Sequence, residues 1–311
     1  MSSRLRGRKS WSLLCGLLLC LQAFCTAQAG YARDLQGFNG GRAFEDLKRL
    51  AAFGPRPSGS KALEESRTWI KGRLREAGAQ VEEDNFTAST PLGSIPMTNL
   101  IVRIPGARNK IVMLAGHYET KRFDDFTFVG ANDGGSSAAF LIEMARVLAH
   151  RKNDLTYWLV FFDGEEAFRD FTSTDSLYGS RHLVEKLTAS GELARIEAMI
   201  LVDMIGDARL NISRDYNSTP WLTDVVFSAA HRLGYRKQFQ NEQRAYEDDH
   251  IPFVQAGVSA VDLIDFDYGP DNSYWHTAED TPAKCGPLSL TIVGQVVMAA
   301  LEELEKSPRL R

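Results

Sequence analysis

Residues 156–162, Thr156 to Phe162, carry no charge and run to aromatic, β-branched and apolar side chains. A run of that length and composition reads as a buried strand, of the kind found in the middle of a parallel or mixed sheet. It leads without a break into Asp163, Gly164, Glu165 and Glu166. Burying a carboxylate is costly unless something pairs with it. Two adjacent glutamates at the mouth of a core strand therefore need a cation, a shared proton or open water. Neighbouring residues leaving a strand point different ways, so one carboxylate can hold a metal while the other faces a substrate. An isolated Glu-Glu pair is more simply a solvated turn, and it is the rest of the chain that argues otherwise here.

The same pattern recurs along the chain. Helical spacing is found over 42–53, then a Gly54-Pro55-Arg56-Pro57 turn, then an amphipathic helix over 61–77, with Ser58 or Ser60 as its cap and Gly78 as its stop. Strands are expected at 80–87, 98–104 and 110–116, the last closing on His117. A helix over 136–150 precedes the Glu-Glu strand, and a short helix near 179–188 follows it. Residues 196–204 form another buried strand that closes on an acid, Asp203. A helix over 220–233, a short helical segment opening at Asp248, a strand over 258–264 and a C-terminal helix over 288–306 complete the order. Strands alternating with helices predict an α/β fold: a three-layer sandwich whose central sheet is twisted, mixed and mainly parallel, flanked by helices. No internal repeat or flexible linker divides it.

Residues 1–29 read as a cleaved signal peptide: Arg4, Arg6, Arg8 and Lys9, an apolar run from Leu13 to Phe24, and Ala27-Gln28-Ala29 before Gly30. A lipoprotein site at Cys20 is rejected, because Leu19 before it is too bulky. The remaining chain, 30–311, is expected to be one exported catalytic domain, secreted or periplasmic, with no later stretch apolar enough to span a bilayer. Cys15, Cys20 and Cys25 leave with the signal, so Cys285 has no partner and the fold must rest on its core. Loss of the four basic signal residues takes the net charge from −4 to −8. That balance argues against nucleic acid or an anionic membrane as partner.

In an open α/β sheet, ligands bind beyond the carboxyl ends of the strands. His117, Glu165, Glu166, Asp203 and, after a longer loop, His276 all fall at such ends, and Asp133 stands just before a helix start. Carboxylates and imidazoles converging from separate strands suit a borderline cation such as zinc. Each alone has a plainer explanation: Asp133 would serve as an N-cap, and His150, His182 and His231, within helices, are left as ordinary hydrogen-bonders.

His117-Tyr118-Glu119, Gly130 to Asp133, Phe161 to Phe168, Leu201 to Gly206 and Trp275-His276-Thr277 resemble the zinc aminopeptidase superfamily. Asp175 to Leu183 and Asp248-Asp249-His250-Ile251-Pro252-Phe253 bring the chain closer to its glutaminyl cyclases of the animal type. The resemblance spans roughly 42–306. It implies conversion of an N-terminal glutamine to pyroglutamate, on a peptide or protein, with release of ammonia. It implies one zinc per chain on Asp133, Glu166 and His276, with Glu165 as proton shuttle and Asp203 and Asp248 hydrogen-bonded around it. Trp275 would line the substrate pocket, and His117 and Asp203 match positions that hold the second zinc in dinuclear aminopeptidases. A monomer is expected. The chain departs from animal cyclases at Gly116, where they carry a half-cystine, at Phe171, in place of a pocket tryptophan, and at Asp262, in place of a histidine.

Cyclisation fits such a residue set, because the substrate supplies both the amine nucleophile and the amide electrophile. Two other readings stand beside it. A zinc aminopeptidase of the same fold would use the same ligand types, but it needs an activated water. An inactive binding module on this fold would have lost a ligand or Glu165, and neither is missing.

Overall fold

A strand buried along its whole length needs neighbours on both edges and cover on both faces. Ile111–His117 meets that condition in the computed structural model of the protein, which describes residues 37–310: every residue of the strand is buried. It is β3 of a six-stranded sheet ordered β1 (Val81–Thr90), β2 (Gly93–Ile104), β4 (Thr156–Phe162), β3, β5 (Ile196–Asp203), β8 (Ala260–Ile264). Strands β4, β3, β5 and β8 run parallel, and the β1–β2 hairpin joins them antiparallel through β4. The sheet is therefore mixed and mainly parallel, as its apolar runs predict.

Helices cover both faces. On one side α4 (Tyr178–Ser190) and α6 (His250–Gln255) bring Leu183, Leu187 and Phe253 onto Met113, Trp158, Val160 and Met199. On the other, α3 (Gly135–Ala149) lies against β2 to β5 and α5 (Pro220–Arg232) against β8, with α1 (Gly40–Ala51) and α7 (Pro287–Lys306) packed around them. The remaining helix, α2 (Lys61–Glu76), packs on α3 and β1. From Phe38 onward the described residues form one compact unit. The expected signal segment and cleavage site, with Cys15, Cys20 and Cys25, lie outside the described residues.

Several boundaries move for identifiable reasons. Helix α1 starts at Gly40, earlier than expected, because Asn39 caps it and accepts from Arg42 N at 2.9 Å. The hairpin strands are longer than expected, and β2 includes Pro96. Proline is tolerated there because only Leu100–Ile104 of β2 pairs with β4, so the edge beside Pro96 is open on that side. Two short strands, β6 (Ile212–Asp215) and β7 (Phe239–Arg244), form a separate two-stranded sheet. No apolar run marks them in advance, since β7 buries only its first residue. Helix α7 corrects the expectation that no later stretch could span a bilayer. It is long and apolar enough, but most of it is buried within the protein, because it is a core helix packed on α1, α3 and α5.

Gly116 is required by contact. A Cβ there would lie 2.5 Å from Ser137 Cβ and 2.7 Å from Val202 O, so α3 and β5 leave no room for the side chain a half-cystine needs. Cys285 is free and buried beside the Tyr268 hydroxyl at 3.8 Å. Reductant is accordingly expected to leave the thermal midpoint of the purified protein unchanged. Unfolding scans with and without it check this, and a large drop would refute a fold held by its core alone.

Candidate active site

Parallel strands share one carboxyl end, and the polar residues gather there. His117 ends β3 beside Phe162 of β4, and Asp203 ends β5 beside Ile264 of β8. Beyond Phe162 the chain turns at Gly164, with φ of +83°, and presents Glu165 and Glu166. Asp133 arrives through a turn at Gly134, with φ of +75°, where a Cβ would lie 2.2 Å from Glu119 O. Gly134 is itself the N-cap of α3 and no side chain caps that helix, so Asp133 is not spent as a cap. His276 reaches in from the loop after β8 with φ of +53°. Left-handed backbone is costly for a residue with a Cβ and is retained where the surroundings impose it. The Trp275 ring stacks on His276 at 4.0 Å, and Phe123 and Phe128 meet it edge-on at 5.7 and 5.8 Å.

These residues converge. His276 Nε2 lies 2.9 Å from Glu166 Oε1 and 3.2 Å from Asp133 Oδ2. His117 Nε2 lies 3.1 Å from Asp203 Oδ1 and 3.2 Å from Asp133 Oδ1. Among the described residues three groups of potential metal donors result: Asp133–Glu166–His276 and His117–Asp133–Asp203, which share Asp133, and His117–Glu119–Glu165. The first fits a divalent cation on its own chemistry: two carboxylates and an imidazole, with the buried Asp133 Oδ2 lacking a hydrogen-bond partner. Burial disfavours a charged His276, but the Glu166 and Asp133 carboxylates outweigh it and raise its pKa to about 9. Oxygens that draw a proton to this nitrogen so strongly would equally draw a metal in its place.

The candidate ligands are held from behind by residues to which sequence reasoning assigns no role. Glu119 Oε1 accepts the main-chain N–H of Glu165 at 2.7 Å and of Glu166 at 3.2 Å. Asp280 accepts the N–H of Asn132 at 2.8 Å and of Asp133 at 3.1 Å, and it also accepts the Tyr268 hydroxyl at 2.8 Å. Asp163 accepts from Ser58 Oγ at 2.5 Å and Thr98 N at 2.8 Å. Ser60, not Ser58, caps α2. Lys121 Nζ stands 3.3 Å from Glu166 Oε2. Glu119 stands within the His117-Tyr118-Glu119 motif but has no role assigned there, Lys121 is marked only by proximity to it, and nothing in the pattern marks Asp280. His182 stacks on Phe86 at 4.2 Å and its Nε2 meets Asp84 Oδ1 at 3.3 Å, while His231 Nε2 meets Phe239 O at 3.0 Å, so both are ordinary hydrogen-bonders, as expected.

Glu165 is buried beside this cluster. Burial first, and the neighbouring Glu166 charge second, push its pKa well above the usual carboxylate range. Asp248 is raised in the same way, by burial and then by Asp203 and Asp249. Asp203 is raised mainly by burial, and its Oδ1 faces His117. Asp248 Oδ1 accepts the N–H of Asp249 at 2.5 Å. Asp262 is wholly buried and pushed well up by burial and by Asp248, with His250 Nδ1 4.0 Å from its Oδ2. Carboxyls crowded this way hold protons between them.

A cavity of about 570 Å³ opens over the cluster, a volume typical of small-ligand sites. Asp133, Glu165, Glu166, Asp203, Asp248 and His276 line its floor, and Phe171, Tyr246, Phe266 and Trp275 its apolar wall. His117 lies behind, buried. Residues 99–301 match peptidase family M28. The chain belongs to that family. Among its M28 relatives, the glutaminyl-peptide cyclotransferase of Boiga irregularis is 35% identical over 265 residues, covering 73% of this chain and 70% of that one. The glutaminyl cyclase of an Acidobacteriales bacterium, a crystal structure, superposes with a TM-score of 0.83 at 44% identity, covering 86% of this chain and 95% of that one. A Zn-dependent exopeptidase from Parabacteroides distasonis shares the fold, with a TM-score of 0.78 at 25% identity, covering 88% and 100%. The similarity to glutaminyl cyclases thus extends from motifs to 86% of the chain.

Proposed function

We propose that this protein is a glutaminyl-peptide cyclotransferase that closes an N-terminal glutamine into pyroglutamate and releases ammonia. The observation that carries this reading is the divided placement of two adjacent glutamates. Glu166 joins Asp133 and His276 in a donor triad, while Glu165 lies outside that triad and lines the cavity. Zinc, one per chain on Asp133, Glu166 and His276, would act when bound as a Lewis acid toward the γ-carbonyl.

The remaining work falls to the chain. The cavity walls hold the glutamine so that its α-amine stands against its own γ-carbonyl carbon, which turns ring closure into a matter of orientation. Trp275 and Phe171 bound that space. Glu165 takes a proton from the α-amine as the new C–N bond forms. It then gives that proton to the γ-amide nitrogen as the old C–N bond breaks, so that ammonia leaves. A carboxyl with a raised pKa suits both directions of transfer. Asp203 and Asp248 surround it with further buried carboxyls that keep one proton shared.

The aminopeptidase reading is kept in view by one observation, the second donor group His117–Asp133–Asp203. A single assay separates the two. Incubation with a glutaminyl peptide and an alanyl peptide, with products identified by mass, is expected to show loss of ammonia from the first and no change in the second. Release of a free amino acid would reject the cyclase. We also take the protein to be exported as a monomer with its mature N-terminus at Gly30, on the signal pattern of residues 1–29. N-terminal sequencing of secreted material should return Gly30, and an intact Met1 would refute the cleavage.

A further inference from the structure

A fully buried arginine lies behind the site and directs its side chain at main-chain oxygens. Arg56, from the turn between α1 and α2, is 0% exposed. Its guanidinium donates from Nε to Tyr118 O at 3.0 Å, from Nη1 to Val129 O at 2.5 Å and from Nη2 to Gly130 O at 2.8 Å. Its own N–H donates to Thr120 Oγ1 at 3.0 Å, and Thr120 N–H returns to Arg56 O at 3.4 Å.

Those carbonyls stand at the two ends of one excursion. Tyr118 follows His117, where β3 ends, and Gly130 precedes Asp133 by three residues. Between them the chain runs without regular secondary structure. Left to itself, such a loop would let Asp133 drift relative to the strand ends, and closing it costs chain entropy. Burying a guanidinium is also costly, so simple space-filling would favour an apolar side chain. What the arginine adds is a rigid planar fork that can bind both loop ends at once. Its charge has a second context. Burial lowers its pKa to about 10, against the opposing pull of Asp280, Glu119 and Asp133, so it remains charged at neutral pH. Asp280 and Glu119 are the carboxylates that hold the main chain of Asp133 and of Glu165 and Glu166.

We propose that Arg56 is a positioning residue for the metal centre: its fork closes the 118–130 loop at the base and fixes Asp133 against Glu166 and His276. This rests on the reading of those three residues as metal ligands. Arg56→Lys keeps the charge and loses the fork. Zinc affinity of the folded protein, measured by competition with a chromophoric chelator, is expected to fall about tenfold or more, the scale of an outer-shell loss around a metal. The thermal midpoint of the metal-free protein is recorded beside it. A purely structural role would lower that midpoint and leave zinc affinity equal to wild type, which would overturn the proposal. Should Arg56→Lys fail to fold, Arg56→Gln, which leaves a single amide donor in place of the fork, is read the same way. Glu166→Gln is the control. If it binds zinc as tightly as wild type, the ligand reading falls and the proposal with it. If it loses zinc while Arg56→Lys does not, Arg56 alone is misassigned.

Discussion

Glu165→Gln should retain its zinc and lose cyclisation, whereas Glu166→Gln and His276→Ala should lose the zinc itself. The two glutamates are neighbours with nearly equal burial, at 8% and 7% exposure, so any difference between them must come from what each faces. Glu166 Oε1 faces His276 Nε2 at 2.9 Å, and Lys121 holds its other oxygen. An amide at that position keeps the shape and removes the charge that draws a cation. The loss in affinity should exceed the ~10–100-fold typical of removing a mere outer-shell partner. Glu165 supplies no atom to the triad. Its amide cannot accept a proton, so turnover should fall by about 10²–10⁴-fold, the usual worth of a positioned acid–base group. Bound zinc after dialysis, glutaminyl-peptide turnover and far-UV circular dichroism of each variant check the division. A Glu165→Gln protein as depleted of zinc as Glu166→Gln would mean that the roles are reversed or wrong.

How much of this can be read without the structure depends on where each residue gets its constraint. Thr156 to Phe162 has to be a central strand, because nothing else buries so many large apolar side chains in seven residues. Once β3, β4 and β5 are parallel, their ends must meet, and His117, Glu165, Glu166 and Asp203 come together whatever the loops do. Asp133 and His276 are less secure. Each depends on an unusual backbone turn, at Gly134 and at His276 itself, that composition alone does not specify. Residues whose work is done through main-chain hydrogen bonds are the least legible. Glu119, Asp280 and Arg56 look like ordinary charged residues in loops, and their burial is visible only after folding. The short strands β6 and β7 escape a reading of the sequence for a related reason, since a buried β6 of only four residues and a polar, mostly exposed β7 carry no periodic signal.

His117 and Asp248 separate the cyclase from the peptidase, and their expected phenotypes are opposite in kind to those of the ligand variants. His117 Nε2 sits within 3.2 Å of Asp133 and Asp203, and both of those could join it around a second metal. A peptidase with two metals needs that position. A cyclase does not, because its nucleophile arrives with the substrate. His117→Ala should therefore leave about one zinc bound per chain, the stoichiometry of a single Lewis-acid centre. Slower turnover is compatible with this, since His117 orients Asp133, but a loss of metal is not. Asp248 lies outside all three donor groups, buried, with Oδ2 lacking a partner and its charge among those that raise the Glu165 pKa. Asp248→Ala, and the isosteric Asp248→Asn, should keep the zinc and lose most of the cyclisation, because Glu165 then loses the neighbour that shares its proton. Removing that negative neighbour lowers the Glu165 pKa, so whatever activity survives should reach its plateau at lower pH than in wild type. Bound zinc, turnover and the pH profile of both variants decide between the two enzymes. Two zinc ions in the wild type falling to one in His117→Ala, with aminopeptidase activity lost alongside, would sink the cyclase reading.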